Sequence, residues 1–173
     1  MFNQSSLTVS TETRTGADKN LRASAGGVIA FPPALYAGTL FAGLLLYFLF
    51  PIYLLPRSVA IALGAAIIFV ASLIAILAIR AMCRASTAVN PSLPTTAIVS
   101  GGVFGFSRNP IYLSFTLLYC GIALLFNAFW AFLFLLPLIA VMHTGVIQRE
   151  ENYLEQKFGD EYLRYKARVR RCI

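Results

Sequence analysis

Apolar residues occur along the chain in long runs, and polar residues separate those runs. The longest run without Asp, Glu, Lys or Arg covers residues 109–148. A bilayer core about 30 Å thick needs roughly 20 apolar helical residues to cross it, so this run suits two spans joined by a tight turn. Asn127 lies near the middle, where the turn is expected. Such a hairpin returns the chain to its starting side, so Arg108 and Glu150 should lie at one membrane face.

Two further runs without charge lie upstream, from Arg22 to Arg57 and from Arg57 to Arg80. Together the runs predict four spans, at about 34–55, 58–79, 111–127 and 129–147. Pro51 should kink the first span or end it early, because proline lacks a backbone N–H. Long apolar runs favour helices over the short alternating segments of a membrane barrel. The predicted fold class is therefore an all-α integral membrane protein.

Polar segments precede and follow the predicted spans. Residues 1–28 are rich in Ser and Thr, which predicts a disordered tail. Residues 29–173 would form one transmembrane domain, with residues 145–173 as a cap of amphipathic helices. In that cap, Ile147, Leu154 and Phe158 form an apolar stripe at helical spacing. Gly159 should end the first cap helix, and Asp160 should cap a second one over residues 161–168.

The composition agrees with a membrane protein. The chain is 58% hydrophobic and only 12% charged, whereas about 25% charged residues are usual in soluble domains. The net charge of +7 does not indicate nucleic-acid binding, because four spans would place 13 of the 14 Lys and Arg residues on one side. The positive-inside rule makes that side cytoplasmic, with both termini and the candidate active site. Its basic residues suit anionic lipid headgroups. Tyr162 and Tyr165, which lie among basic residues near the C-terminus, suit the membrane interface.

The segment 87–110, between the second and third predicted spans, is the candidate ligand loop. Three glycines fall within residues 101–105, and glycine lets a backbone approach a ligand closely. The alternative is a plain surface loop, although its length of 24 residues favours a function. The pattern lacks the fingerprints of phosphate-binding and dinucleotide-binding loops. Pro110 suits a first helical position with Asn109 at the cap, and Arg108 could simply extend to the membrane surface.

Two adjacent carboxylates, Glu150 and Glu151, flank the apolar stripe of the first cap helix. Carboxylates beside an apolar surface need cations or donors. Arg149 and nearby lysines are one possible set of partners. The Arg108 region is another, because the predicted hairpin brings it to the same membrane face. The lone His143 is more typical of a satisfied polar residue than of a catalyst. The three cysteines show no spacing typical of a disulfide or metal site.

Two motifs in this order resemble the isoprenylcysteine carboxyl methyltransferase family and the related membrane phospholipid methyltransferases. The first motif is Gly102-Val103-Phe104-Gly105-Phe106-Ser107-Arg108-Asn109-Pro110-Ile111-Tyr112-Leu113. The second is Glu150-Glu151-x-x-Leu154-x-x-x-Phe158-Gly159-x-x-Tyr162-x-x-Tyr165. The resemblance covers roughly residues 90–170. Membrane sterol reductases carry similar pieces, but they are longer and have more spans.

The resemblance implies S-adenosylmethionine as methyl donor, held between residues 96–112 and the C-terminal helices. It places cofactor contacts at Thr96, Ala97, Ile98, Val99, Phe104, Asn109, Pro110, Ile111 and Tyr112. It places Glu150, with Glu151 beside it, near the substrate and the cofactor. Arg108, Tyr112 and Glu150 are the residues expected to position the reactants. Asn109 stands where eukaryotic members often have His, and Val146 stands where an Arg is expected at the substrate end.

The sequence therefore predicts a membrane methyltransferase acting on a lipophilic or lipid acceptor. It leaves open whether that acceptor is a carboxylate, an amine, a thiol or a lipid headgroup. A nicotinamide-dependent reductase and a non-catalytic membrane protein of the same fold are the alternatives. Oligomeric state is also open, since Gly38, Gly43 and Gly64 suit close helix packing within or between chains.

Overall fold

Six α-helices follow one another in the parts of the chain that this computed structural model describes, residues 31–87 and 97–172. They are α1 (Pro32–Leu49), α2 (Arg57–Arg84), α3 (Pro110–Leu125), α4 (Phe129–Met142), α5 (Gln148–Phe158) and α6 (Asp160–Arg168). A 3-10 turn at Gly102–Gly105 precedes α3, and a π-helical segment at His143–Ile147 joins α4 to α5. These described residues contain no strand. The tail predicted for residues 1–28 lies outside them.

Three helices are long and apolar enough to cross a membrane. They are Pro32–Leu49, Arg57–Arg84 and the continuous helix Phe129–Phe158, which joins α4, the π-helical segment and α5. The remaining predicted span corresponds to α3, which has 16 residues. That is shorter than the roughly 20 residues of a full crossing. The all-helical architecture is thus confirmed for the described residues, with three helices suited to membrane crossing, and the fourth crossing stays a prediction.

Prolines fix where several helices begin and end. Pro32 and Pro110 occupy first-turn positions of α1 and α3, where no backbone donor is needed. The prediction for Pro51 is confirmed, because α1 ends at Leu49. Asn109 stands at the cap position of α3, as predicted, but its side chain makes no capping hydrogen bond.

The α1–α2 connection and the α3–α4 turn meet at one end of the bundle. Asn127 has a left-handed backbone, with φ of 55°. Its Oδ1 accepts from the backbone N–H groups of Leu54 and Leu55 at 3.0 and 3.2 Å. Its Nδ2 donates to the carbonyl of Leu55 at 2.6 Å. The predicted turn residue therefore also ties the two helical hairpins together.

Small residues let the helices approach closely. A Cβ added to Gly121 of α3 would lie 2.6 Å from Cγ1 of Ile68 and 3.0 Å from the carbonyl oxygen of Gly64, both in α2. A Cβ on Gly43 of α1 would lie 2.5 Å from Cα of Ala131 in α4. These glycines serve packing within the chain, at distances that exclude any side chain.

The C-terminal helices pack against the opposite end of the bundle from the Asn127 turn. Gly159, with φ of 53°, ends α5 as predicted. Asp160 is wrong as a cap, because it is already the first residue of α6 and Gly159 holds the cap position. The apolar stripe predicted for the cap helix divides between two hydrophobic clusters. Ile147 belongs to the bundle core, whereas Leu154 and Phe158 pack against Tyr162, Tyr165 and Val169.

Candidate active site

A cavity of about 380 Å³ lies at the end of the bundle where the C-terminal helices pack. Its walls come from the start of α1, the end of α2, residues 97–112, and the helices α5 and α6. The cavity brings together the predicted site residues Ala97, Ile98, Val99, Phe104, Arg108, Asn109, Pro110, Ile111, Tyr112, Glu150 and Glu151. Thr96 lies outside the described residues. Arg108 and Glu150 thus share one site, as the hairpin argument predicted.

Further lining residues were not predicted as part of the site. They are Phe31, Pro32, Pro33, Met82, Thr87, Phe115, Leu154, Tyr162 and Tyr165. Most are apolar residues at the ends of α1, α2 and α3, and nothing in the local sequence separates them from ordinary membrane-facing residues. Tyr162 and Tyr165 did carry a signal, because they belong to the second family-like motif. The cavity is largely apolar, with charged groups in one part of its wall.

Glu150 faces the cavity from α5 and accepts a hydrogen bond from Tyr112. The hydroxyl of Tyr112 donates to Oε2 of Glu150 at 3.0 Å. Tyr112 is buried in the first turn of α3, a position set by the helix start at Pro110. The pair links the two halves of the predicted hairpin, and it orients one carboxylate at the cavity wall.

Glu151 has very different surroundings, although it is the next residue. Only 3% of it is exposed. The guanidinium of Arg171 donates to both carboxylate oxygens, with Nε 3.0 Å from Oε1 and Nη2 bonded to Oε2. Nη1 of Arg108 lies 3.2 Å from Oε1, and Nζ of Lys166 lies 3.9 Å from Oε2. Glu151 is therefore the centre of a cluster with three cations.

Several buried donors in the cavity wall have no hydrogen-bond partner among the described residues. They are Nε and Nη1 of Arg108 and Nδ2 of Asn109. Nη1 of Arg108 is close to Glu151, but the two groups are not aligned as a hydrogen bond. Because a buried unsatisfied donor costs about 1–3 kcal/mol, such groups indicate a ligand site.

Tyr162 and Tyr165 are buried beside this cluster. The interpretation of these aromatic residues as a membrane-interface pair is therefore wrong. The hydroxyl of Tyr165 donates to the carbonyl of Phe104 at 2.8 Å, which fixes α6 to the 3-10 turn. Burial raises the pKa of Tyr165 to about 12, against the lowering effect of Arg108. Burial, and next the charge of Glu151, also raise the pKa of Tyr162.

The π-helical segment sets the direction of α5. It adds a wider turn between the apolar α4 and the charged α5, and such segments often occur at functional sites. Its residue Val146 is 1% exposed and belongs to the bundle core. The position where the family resemblance implied an Arg is thus packed among apolar side chains. His143, from the same segment, contacts Nη1 of Arg171 at 3.0 Å through Nε2, which agrees with a partnered polar role.

Comparison with known proteins places this geometry in context. The family model for phospholipid methyltransferases matches residues 59–161, more than half of the chain. A relative from Haemophilus influenzae, described as an uncharacterized protein, is 46% identical over 63 residues, which is 36% of this chain and 100% of the relative. No solved structure matches the chain. The matched region contains α3, α4, α5, the cavity's Arg108–Tyr112 segment and both paired carboxylates.

Proposed function

The chain belongs to the phospholipid methyltransferase family, and from this premise we propose that it transfers a methyl group from S-adenosylmethionine to a lipophilic acceptor in the membrane. The family indicates a membrane methyltransferase. The observation that carries the finer proposal is the set of buried donors that make no hydrogen bond, Nε and Nη1 of Arg108 and Nδ2 of Asn109, in a cavity that also holds the Glu150 carboxylate.

The residues of the cavity fit the chemical groups of this cofactor. Its amino-acid end carries one carboxylate and one ammonium, and its other end is an aromatic base. The unpaired donors of Arg108 suit the carboxylate, since guanidinium and carboxylate form strong charge-assisted hydrogen bonds. Glu150 suits the ammonium group. The rings of Phe104 and Phe115 supply the flat apolar surface that an adenine prefers. A volume of about 380 Å³ lies within the range of small-molecule sites, roughly 300–1,000 Å³.

The chain's own contribution to the reaction is positioning and exclusion of water. S-adenosylmethionine, when bound, supplies an activated methyl group on a sulfonium. Arg108, Asn109 and Glu150 hold the donor by its polar groups, and Tyr112 keeps Glu150 in one orientation. The helices α5 and α6 cover the cavity. Correct alignment of two reactants can account for about 7–11 kcal/mol of a barrier. No proton-abstracting residue is assigned.

The acceptor in this proposal is a lipophilic molecule, because Phe31, Pro33 and Met82 form an apolar wall beside the charged groups. In the membrane, α1, α2, α3 and the Phe129–Phe158 helix would all cross the bilayer. The turns near Asn127 would face one side, and the cavity would face the cytoplasm together with both termini. The support for this orientation is the charge distribution, in which Arg57 alone among the 14 Lys and Arg residues would lie on the far side.

The test is calorimetric titration of the purified protein in detergent with S-adenosylhomocysteine, the product form of the cofactor. The wild type should bind it, and Glu150→Ala should bind it more weakly. Glu161→Ala is the matched control, because Glu161 is exposed on α6 away from the cavity. Binding of NADPH instead would support the reductase alternative. A folded protein that binds neither ligand would leave the non-catalytic alternative.

A further inference from the structure

The residues after α6 fold back onto the cavity wall. The carbonyl of Arg170 accepts a hydrogen bond from the backbone N–H of Arg108 at 3.3 Å. The side chain of Arg171 reaches Glu151 and His143. Residues 170–171 thereby contact both family-like motifs, although they belong to neither and lie beyond the region that the family model matches.

Arg171 donates to both carboxylate oxygens of Glu151, whereas Arg108 approaches only Oε1. A carboxylate that accepts a two-pronged guanidinium uses both of its oxygens in one plane. Here Arg171 supplies that fork, through Nε and Nη2. Arg108 remains close enough for an ion pair, at 3.2 Å, but its Nε and Nη1 make no hydrogen bond to any described residue. The charge of Arg108 is thus stabilised while its Nε and Nη1 donors stay available.

We infer that Arg171 is a positioning residue: it holds both oxygens of Glu151, so that Arg108 lies beside Glu151 as an ion pair without closing hydrogen bonds to it and keeps its Nε and Nη1 donors for the cofactor's carboxylate. This inference rests on the proposed function. Without Arg171, the nearest strong donor to Glu151 is Arg108, and a closed Arg108–Glu151 pair would withdraw those donors from the ligand. The effect should therefore fall on the amino-acid end of the ligand and spare its nucleoside end.

The experiment compares two ligands that differ only at that end. S-adenosylhomocysteine carries the ammonium and carboxylate, whereas methylthioadenosine keeps the nucleoside and the thioether but lacks both charged groups. Their affinities are measured by calorimetry, or by competition, for the wild type, Arg171→Met and Arg171→Lys. Arg164→Met is the matched control, since Arg164 is exposed on α6.

Arg171→Met should weaken S-adenosylhomocysteine binding by about 10- to 100-fold, the range of one lost charge-assisted hydrogen bond. Methylthioadenosine binding should stay within about 2-fold of wild type, which also shows that the cavity is still folded. Arg171→Lys should fall between wild type and Arg171→Met, because lysine keeps the charge but not the fork.

Three results would overturn the inference. Unchanged S-adenosylhomocysteine affinity in Arg171→Met would show that Arg108 needs no such positioning. Equal losses for both ligands, in both Arg171 variants, would show that Arg171 supports the cavity as a whole. A wild type that binds both ligands equally would show that the carboxylate has no partner. Failure of the proposed function gives a different result, in which the wild type binds neither ligand.

Discussion

The paired carboxylates should differ sharply in their effect on stability, and Glu151→Gln is the decisive change. Glutamine keeps the shape of the side chain but removes the negative charge from three cations. Arg108 is 11% exposed and Arg171 20%, so neither regains full hydration when the charge is lost, whereas Lys166, at 37%, largely does. Breaking a buried ion pair typically costs about 3–5 kcal/mol. Because Arg171 is partly hydrated, we expect the lower end, about 3 kcal/mol.

The assay is reversible unfolding in mixed micelles at increasing denaturing detergent, without ligand. Glu150→Gln is the matched control, because its described hydrogen bond comes from Tyr112 and an amide oxygen can still accept it. That control should cost about 1 kcal/mol or less. Raised salt should change the difference little, since buried charges are poorly screened. Equal losses in the two variants, or a neutral Glu151→Gln, would refute the assignment of Glu151 as the structural carboxylate and Glu150 as the ligand-facing one.

Three further predictions concern stability elsewhere in the fold. Asn127→Ala should lower the free energy of unfolding by about 3 kcal/mol, because three hydrogen bonds at about 1 kcal/mol each are lost; Asn127→Gly, which tolerates the positive φ, should lose less. Gly121→Ala should cost about 1–3 kcal/mol through overpacking, whereas Gly38→Ala, with nothing within 4 Å of the new Cβ, should not destabilise; the same detergent unfolding assay compares them. Finally, stability should fall as pH rises from about 10 to about 12, because an unfolded tyrosine ionises near its ordinary pKa of 10.0 while Tyr165 stays protonated up to about 12. In Tyr165→Phe, the free energy of unfolding should fall less between these pH values, because the variant has no hydroxyl to ionise at this position. Identical dependence of unfolding free energy on pH in the wild type and the variant would contradict a role for the buried Tyr165 hydroxyl.

The helical hairpin was predictable because its signals are local. An uncharged run, the polar Asn127 at its centre and Pro110 at its start all act within a few residues. The proximity of the Arg108 region and the 150–151 carboxylates was also predictable, because a hairpin of two helices returns the chain to the end of the bundle where it began. The early end of α1 before Pro51 has the same local origin.

Other features depend on three-dimensional contacts that no single stretch encodes. The family resemblance singled out Glu150, but nothing in the local sequence indicated that Glu151 pairs with cations, because its partner Arg171 lies 20 residues away in the chain. The local sequence also assigned Tyr162 to the membrane interface, since aromatic residues among basic ones are typical there. The tertiary fold instead places this tyrosine under the cavity, where it is 2% exposed.

The attachment of the two hairpins at Asn127 has a mechanical consequence. Side-chain and backbone hydrogen bonds hold the α1–α2 connection to the α3–α4 turn, and the cavity lies at the other end of the same helices. If one hairpin rotated relative to the other about this attachment, its far end would be displaced most. A substitution at Asn127 that changed the angle between the hairpins would therefore shift the cavity walls more than the residues at the attachment itself.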